Sequence, residues 1–132
     1  MAANRKIDGH IFYDNVTTTD ESDTCIFSIN SDVSTIMLDF KSTGTFSVKL
    51  YGSIFDKEND SFKPYMCFKF PTLDMIDTEI TDDSYLYQVD VTAIDYFKVV
   101  ITAITGSLAV RGRVVGWLYG RYYSKRYEYN KC

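Results

Sequence analysis

Histidine is nearly absent from this chain of 132 residues, with His10 the sole example. A Ser-His-Asp or Cys-His arrangement would have to use it, and so would most zinc sites. It stands near the N-terminus with no flanking motif, so no catalytic residue and no metal ligand is assigned. Cysteine is scarce as well. Cys25, Cys67 and Cys132 are odd in number and show no paired spacing, which does not make a disulfide framework. Cys25 and Cys67 sit in apolar runs, where a thiol behaves as a small buried hydrophobe, while Cys132 ends the chain. That usage predicts assembly in a reducing cytoplasm.

Other absences narrow the function further. No glycine-rich phosphate loop occurs, so no nucleotide cofactor is expected. Gly112 and Gly116 fall within and at the end of a strand-like run and mark a bulge or close backbone packing. No apolar run approaches the ~18 residues of a membrane span. The start, Met-Ala-Ala-Asn-Arg-Lys, has no apolar stretch behind its charges, so no signal peptide and no membrane partner are expected. The formal net charge is −4, which argues against nucleic acid as the main partner.

What the chain does have is aromatic and β-branched residues in alternation. Tyr and Phe make up most of an aromatic share of 16%, and both favour strands. Phe46, Val48, Leu50 and Gly52 alternate with Ser47, Lys49 and Tyr51, the pattern of a half-buried strand. Cys25–Ile29, Ser34–Phe40, Tyr65–Phe70 and Tyr85–Val91 read the same way, and 73–81 has room for one short strand. Phe97–Thr105 and Leu108–Gly116 flank Gly106-Ser107 and predict a β-hairpin. No long amphipathic helix interrupts this series. The prediction is an all-β domain: an antiparallel β-sandwich or jelly roll of about eight to nine strands.

Three segments are expected: a flexible arm at 1–8, the sandwich at 9–116 and a C-terminal tail at 117–132. The tail holds Arg121, Lys125, Arg126 and Lys131 against Glu128 alone, so it carries about +3 and the rest about −7. Trp117, Tyr119, Tyr122, Tyr123, Tyr127 and Tyr129 are interleaved with these bases. Such a mixture suits a protein interface. It also suits core completion followed by fraying, or base stacking, which the acidic body makes unattractive. The interface residues expected are Trp117, Tyr119, Arg121, Tyr122, Tyr123, Arg126, Tyr127 and Tyr129.

The acidic clusters are weaker signals. Asp56, Glu58 and Asp60 match the first alternate ligands of a calcium loop, but the next glycine is replaced by Ser61. A solvated loop is the simpler reading, with a calcium site built from two loops left open. Asp74, Asp77, Asp82 and Asp83 could supply the carboxylate pair of a glycosidase, yet acidic turns are ordinary at strand ends.

Gly52-Ser53, then Tyr87-Gln88-Val89-Asp90-Val91, then Tyr96-Phe97-Lys98-Val99-Val100-Ile101-Thr102-Ala103-Ile104 and the run to Gly116 occur in that order. Over about residues 44–116 this resembles small β-sandwich proteins encoded among the structural genes of tailed bacteriophages. The resemblance implies a non-enzymatic virion protein, made in the host cytoplasm, above all a capsid decoration protein. Its partner would be the major capsid protein or another virion protein, and a homotrimer would suit the three-fold points of a shell. Related sandwiches resemble carbohydrate-binding modules of tails or baseplates, with Tyr51, Phe55, Tyr65 or Trp117 lining a groove. The Gly and Trp of their sugar-binding loop are missing from Gly52–Glu58, so the resemblance carries no functional residue over.

Overall fold

A computed structural model describes residues 3–19, 25–30, 32–118 and 129–131. Eleven strands form two sheets. The strands are β1 (Ala3–Val16), β2 (Phe27–Ser28), β3 (Val33–Ser42), β4 (Phe46–Ser53), β5 (Lys63–Pro64), β6 (Cys67–Phe70), β7 (Asp74–Ile76), β8 (Leu86–Asp90), β9 (Tyr96–Ile104), β10 (Leu108–Leu118) and β11 (Tyr129–Lys131). The larger sheet runs β11-β1-β10-β3-β8-β6-β7 and the smaller runs β2-β9-β4-β5. All pairings are antiparallel except β11 on β1. Two very short strands, β5 and β11, raise the count above the expected eight to nine.

Period-two burial decides which side chains face inward. From the larger sheet, Ile36, Leu38 and Phe40 of β3 meet Val110 and Val114 of β10 and Tyr87 and Val89 of β8. From the smaller sheet, Phe46, Val48 and Leu50 of β4 meet Phe97, Val99 and Ile101 of β9. Phe40 stacks on Phe46 across the sandwich at 5.6 Å between centroids and meets Tyr87 edge-on at 5.5 Å. In β1 a register shift between Ile11 and Tyr13 breaks the alternation, and Phe12 and Tyr13 both turn inward. The Tyr13 hydroxyl then donates to the Val99 carbonyl at 2.6 Å, tying the two sheets together.

One sequence expectation fails here. β9 and β10 do not form a hairpin: β9 pairs with β4 in the smaller sheet and β10 with β1 and β3 in the larger. The turn between them is an arch that crosses the sandwich, and a second arch, Thr43–Thr45, joins β3 to β4 beside it. Alternating core residues on both flanks serve a hairpin and an arch equally well. Bonds between the two turns, Thr43 N–H to Ser107 O at 3.0 Å and Thr105 N–H to Thr45 O at 2.8 Å, favour the arch. Residues 3–8 pair with β10, which continues past Gly116 to Leu118, and β11 adds a strand beyond.

The segment after β7 also leaves the larger sheet. Ile80 exchanges two backbone hydrogen bonds with Val48 of β4, at 2.9 and 3.0 Å, before the chain returns as β8. One side of the sandwich is closed by this excursion.

Candidate interaction surfaces

The residues expected to form an interface fall in two groups. Trp117 lies in β10 with its backbone opposite Asn4, and Tyr129 lies in β11 opposite Gly9. Tyr119, Arg121, Tyr122, Tyr123, Arg126 and Tyr127 lie outside the described residues, as does Cys132. The backbone therefore places Trp117 and Tyr129 on opposite flanks of β1.

His10 is buried, at 7% exposure, on the inner side of β1. Its ring meets Phe12 and Phe27 edge-on, at 4.6 and 4.8 Å, and its Nε2 lies 3.7 Å from Cys25 Sγ. Cys25 is disulfide-bonded. Cys67 is free and buried, and burial pushes its thiol up to about 12.

The acidic loop is held by its own turns. Asp56 Oδ1 accepts the Glu58 N–H at 2.9 Å, and the Asp56 carbonyl accepts from Ser53 Oγ at 2.7 Å. The Asp56 carboxyl is lowered below the usual range, first by the Ser61 side chain and then by the Glu58 backbone. Among the described residues no group of three or more His, Cys, Asp or Glu side chains could hold a metal ion. Asp82 caps local backbone, accepting from Ser84 N–H at 2.8 Å, whereas Asp83 reaches the end of β3 and accepts from Ser42 N–H at 3.0 Å. Gly112 packs closely: a Cβ there would meet Phe12 at 2.9 Å and Ile36 at 3.0 Å.

Hollows open on the described surface. One, about 480 Å³, lies on the outer face of the larger sheet among Met37, Asp39, Leu86, Arg111 and Arg113. β3 and β10 place Met37 opposite Arg113 and Asp39 opposite Arg111, so the strand register builds it. Two others lie against the smaller sheet and share Tyr65. One of about 420 Å³ adds Tyr51 and Glu79, and one of about 530 Å³ adds Phe55, Ile54, Lys63 and Ile94. Of the aromatics expected to line a groove, Tyr51, Phe55 and Tyr65 flank neighbouring hollows, whereas the backbone of Trp117 lies in β10 of the larger sheet.

The loop after β4 presents its apolar residues outward. Ile54 is 68% exposed and Phe55 is 84% exposed. Ser53 Oγ accepts the Phe55 N–H at 3.2 Å while donating to Asp56 O, so a built turn displays the phenyl ring. The sequence showed this pair only as part of a loop. Nothing in period-two reasoning separates an exposed Phe in a turn from one folded back onto the sheet.

No protein-family model matches the chain, and no curated protein matches it. Among solved structures, the chain is similar to the SPBc2 prophage-derived protein YomS, with a TM-score of 0.72 and 12% identity over 88% of this chain and 96% of that one. It is also similar to the PBSX exported protein XepA, with a TM-score of 0.73 and 16% identity over 86% of this chain. This chain spans 39% of XepA. At these identities the fold is what is shared.

Proposed function

We propose that this chain is a non-enzymatic structural protein of a phage particle, which works by docking onto other particle proteins. Its most specific form is a decoration protein on the capsid surface. The observation that carries the reading is the fold shared along nearly the whole length of the prophage-derived YomS. Two features of the site agree with it. The sole histidine is enclosed by aromatic rings, and the exposed apolar residues sit on built turns and on a sheet face, as docking groups do. The test is to purify particles from a strain expressing the protein and measure its copy number against the major capsid protein. A fixed ratio, kept in tailless shells, supports decoration. Presence only in tailed particles moves the partner to the tail. Absence from all particles overturns the reading.

A second reading is favoured by the disulfide at Cys25, which suits an oxidising compartment. XepA is described as exported, and export of this chain would place it outside the cell and free of particles. Recovery from cell-free fluid, after particles are pelleted, would support that reading. A third, glycan binding, is supported by Tyr51, Tyr65 and Phe55 around neighbouring hollows. A glycan array without hits would remove it.

A further inference from the structure

Four of the six large hydrophobic side chains exposed on the described surface belong to one ribbon: Met66, Leu73, Met75 and Leu86. They lie on or beside the hairpin of β6 and β7, at one edge of the larger sheet. Because Cys67, Tyr87 and Val89 face the core, Phe68, Phe70, Leu86 and Met75 face outward. Phe68 pairs with Met75 on one side and with Gln88 on the other, and Phe70 pairs with Leu86. The outer face is therefore apolar along this edge. At the hairpin turn Leu73 has φ 61° and is 60% exposed. A leucine in the left-handed region is strained, and such strain clusters at binding sites.

Among the described residues β7 is the last strand of its sheet. Its outer backbone groups form a template for pairing. The charge around that edge is one-sided. From residue 70 to residue 97 the chain holds Asp74, Asp77, Glu79, Asp82, Asp83, Asp90 and Asp95 and no Lys or Arg. Lys69, directly opposite Asp74, sends its amine over the Tyr85 ring at 4.5 Å instead. Among the described residues, no side-chain hydrogen bond or ion pair engages the Asp74 or Asp77 carboxylate. A second copy seated edge to edge would bring the Asp74 and Asp77 carboxylates of both chains to one seam, and like charges across a strand pair repel. The complementary occupant is a strand that carries the opposite sign.

We propose that the β7 edge accepts an extended segment of a partner protein in which apolar and basic residues alternate. Main-chain bonds to β7 supply the register. The apolar side chains cover Met75 and Phe68 on the outer face, and the Lys or Arg side chains reach Asp74 on the other face and Asp77 just past the end of β7. This is strand addition, in which the backbone gives affinity and alternate side chains give specificity. The identity of the partner as a particle protein rests on the reading above, whereas the surface does not.

The probe is a dye-labelled peptide of alternating Val and Lys, followed by fluorescence anisotropy against the full chain. Saturable binding is expected, weakened at least about tenfold by Asp74→Lys with Asp77→Lys. The control pair Glu58→Lys with Asp60→Lys removes the same charge elsewhere and should leave binding within about twofold. Amides of 73–77 should exchange more slowly with peptide bound, and circular dichroism verifies that each variant is folded. No saturable binding, equal loss in the control pair, or unchanged exchange at 73–77 overturns the proposal. So does sedimentation of the free chain as a dimer that Met75→Asp dissociates. If the peptide binds as expected but particles lack the protein, the particle reading falls and the edge stands. If particles carry the protein and the peptide does not bind, the edge alone falls.

Discussion

The hydroxyls of Thr45 and Thr105 lie 2.7 Å apart, although each belongs to a turn that joins a different pair of strands. Thr105 Oγ1 also accepts the Thr45 N–H at 2.9 Å, and on the other side Thr43 Oγ1 accepts the Ser107 N–H at 2.9 Å. The two arches are thus clasped side by side, closing one end of the sandwich. Thr105→Val keeps the shape and removes the acceptor, and it should cost about 1–2 kcal/mol. Gly44→Ala should cost more, because a Cβ there would stand 2.3 Å from the Thr105 carbonyl oxygen and the backbone must move. Urea unfolding of both variants checks this. A neutral Gly44→Ala would show that the arches do not hold this end.

Gly112 gives a second packing prediction, this time at the centre of β10. The nearest atoms to an added Cβ belong to Phe12 and Ile36, both among the buried core residues. Gly112→Ala should lose about 1–3 kcal/mol through overpacking. The paired variant with Phe12→Leu should recover part of that loss, since the ring is the closer neighbour. Additive losses in a double-mutant cycle would contradict the contact.

The sequence carried the sheet faces but not the sheet membership. Ile36, Leu38, Phe40, Val48, Leu50, Val89 and Val99 are all core residues, as their alternation predicts. That alternation is blind to which strand lies alongside, and so β9 and β10 read as a hairpin. The arch is selected by hydrogen bonds from residues about sixty positions away, Thr43 and Thr45, which no local pattern contains. Burial of His10 among Phe12 and Phe27 was equally hidden, since it depends on where β2 docks. The exposed ribbon at Leu73 and Met75 was visible only as an ambiguous segment. Short strands have too few residues for a period to show, and edge position is a property of the whole sheet.

Alkaline pH should weaken the fold, and the direction follows from two buried groups. Tyr87 is pushed up to about 12, first by burial and then by Asp82, and Cys67 is pushed up to about 12 by burial. Their ordinary values are 10.0 and 9.0. Below pH 9 both stay protonated in the folded and unfolded chains, so their contribution is complete. Between pH 9 and 12 the unfolded chain releases these protons while the folded chain retains them, so stability falls as pH rises. Urea midpoints at pH 8, 10 and 11 should decline. Tyr87→Phe and Cys67→Ala should each flatten the slope, whatever they cost at pH 8. A slope unchanged in both variants would assign the alkaline loss to other groups.

Lys98 supplies the last prediction, because it is 4% exposed on the outer side of β9. Its amine donates to Asn59 Oδ1 at 2.8 Å and lies 4.3 Å over the Phe62 ring. The lysine thereby straps the loop with the 3-10 turn Asn59–Ser61 onto the smaller sheet. A buried charge is costly to hold, and removing its partner is worse than removing the charge itself. Asn59→Ala removes one acceptor of the amine and should cost about 1.5–3 kcal/mol, the range for a hydrogen bond to a charged group. Lys98→Met keeps the aliphatic stem and the contact with Phe62 while removing the need for an acceptor, and should change stability by less than about 1.5 kcal/mol. Both are measured by urea unfolding at pH 7. The reverse order would mean that attraction between the ammonium and the Phe62 and Tyr51 rings, rather than the bond to Asn59, holds the loop down.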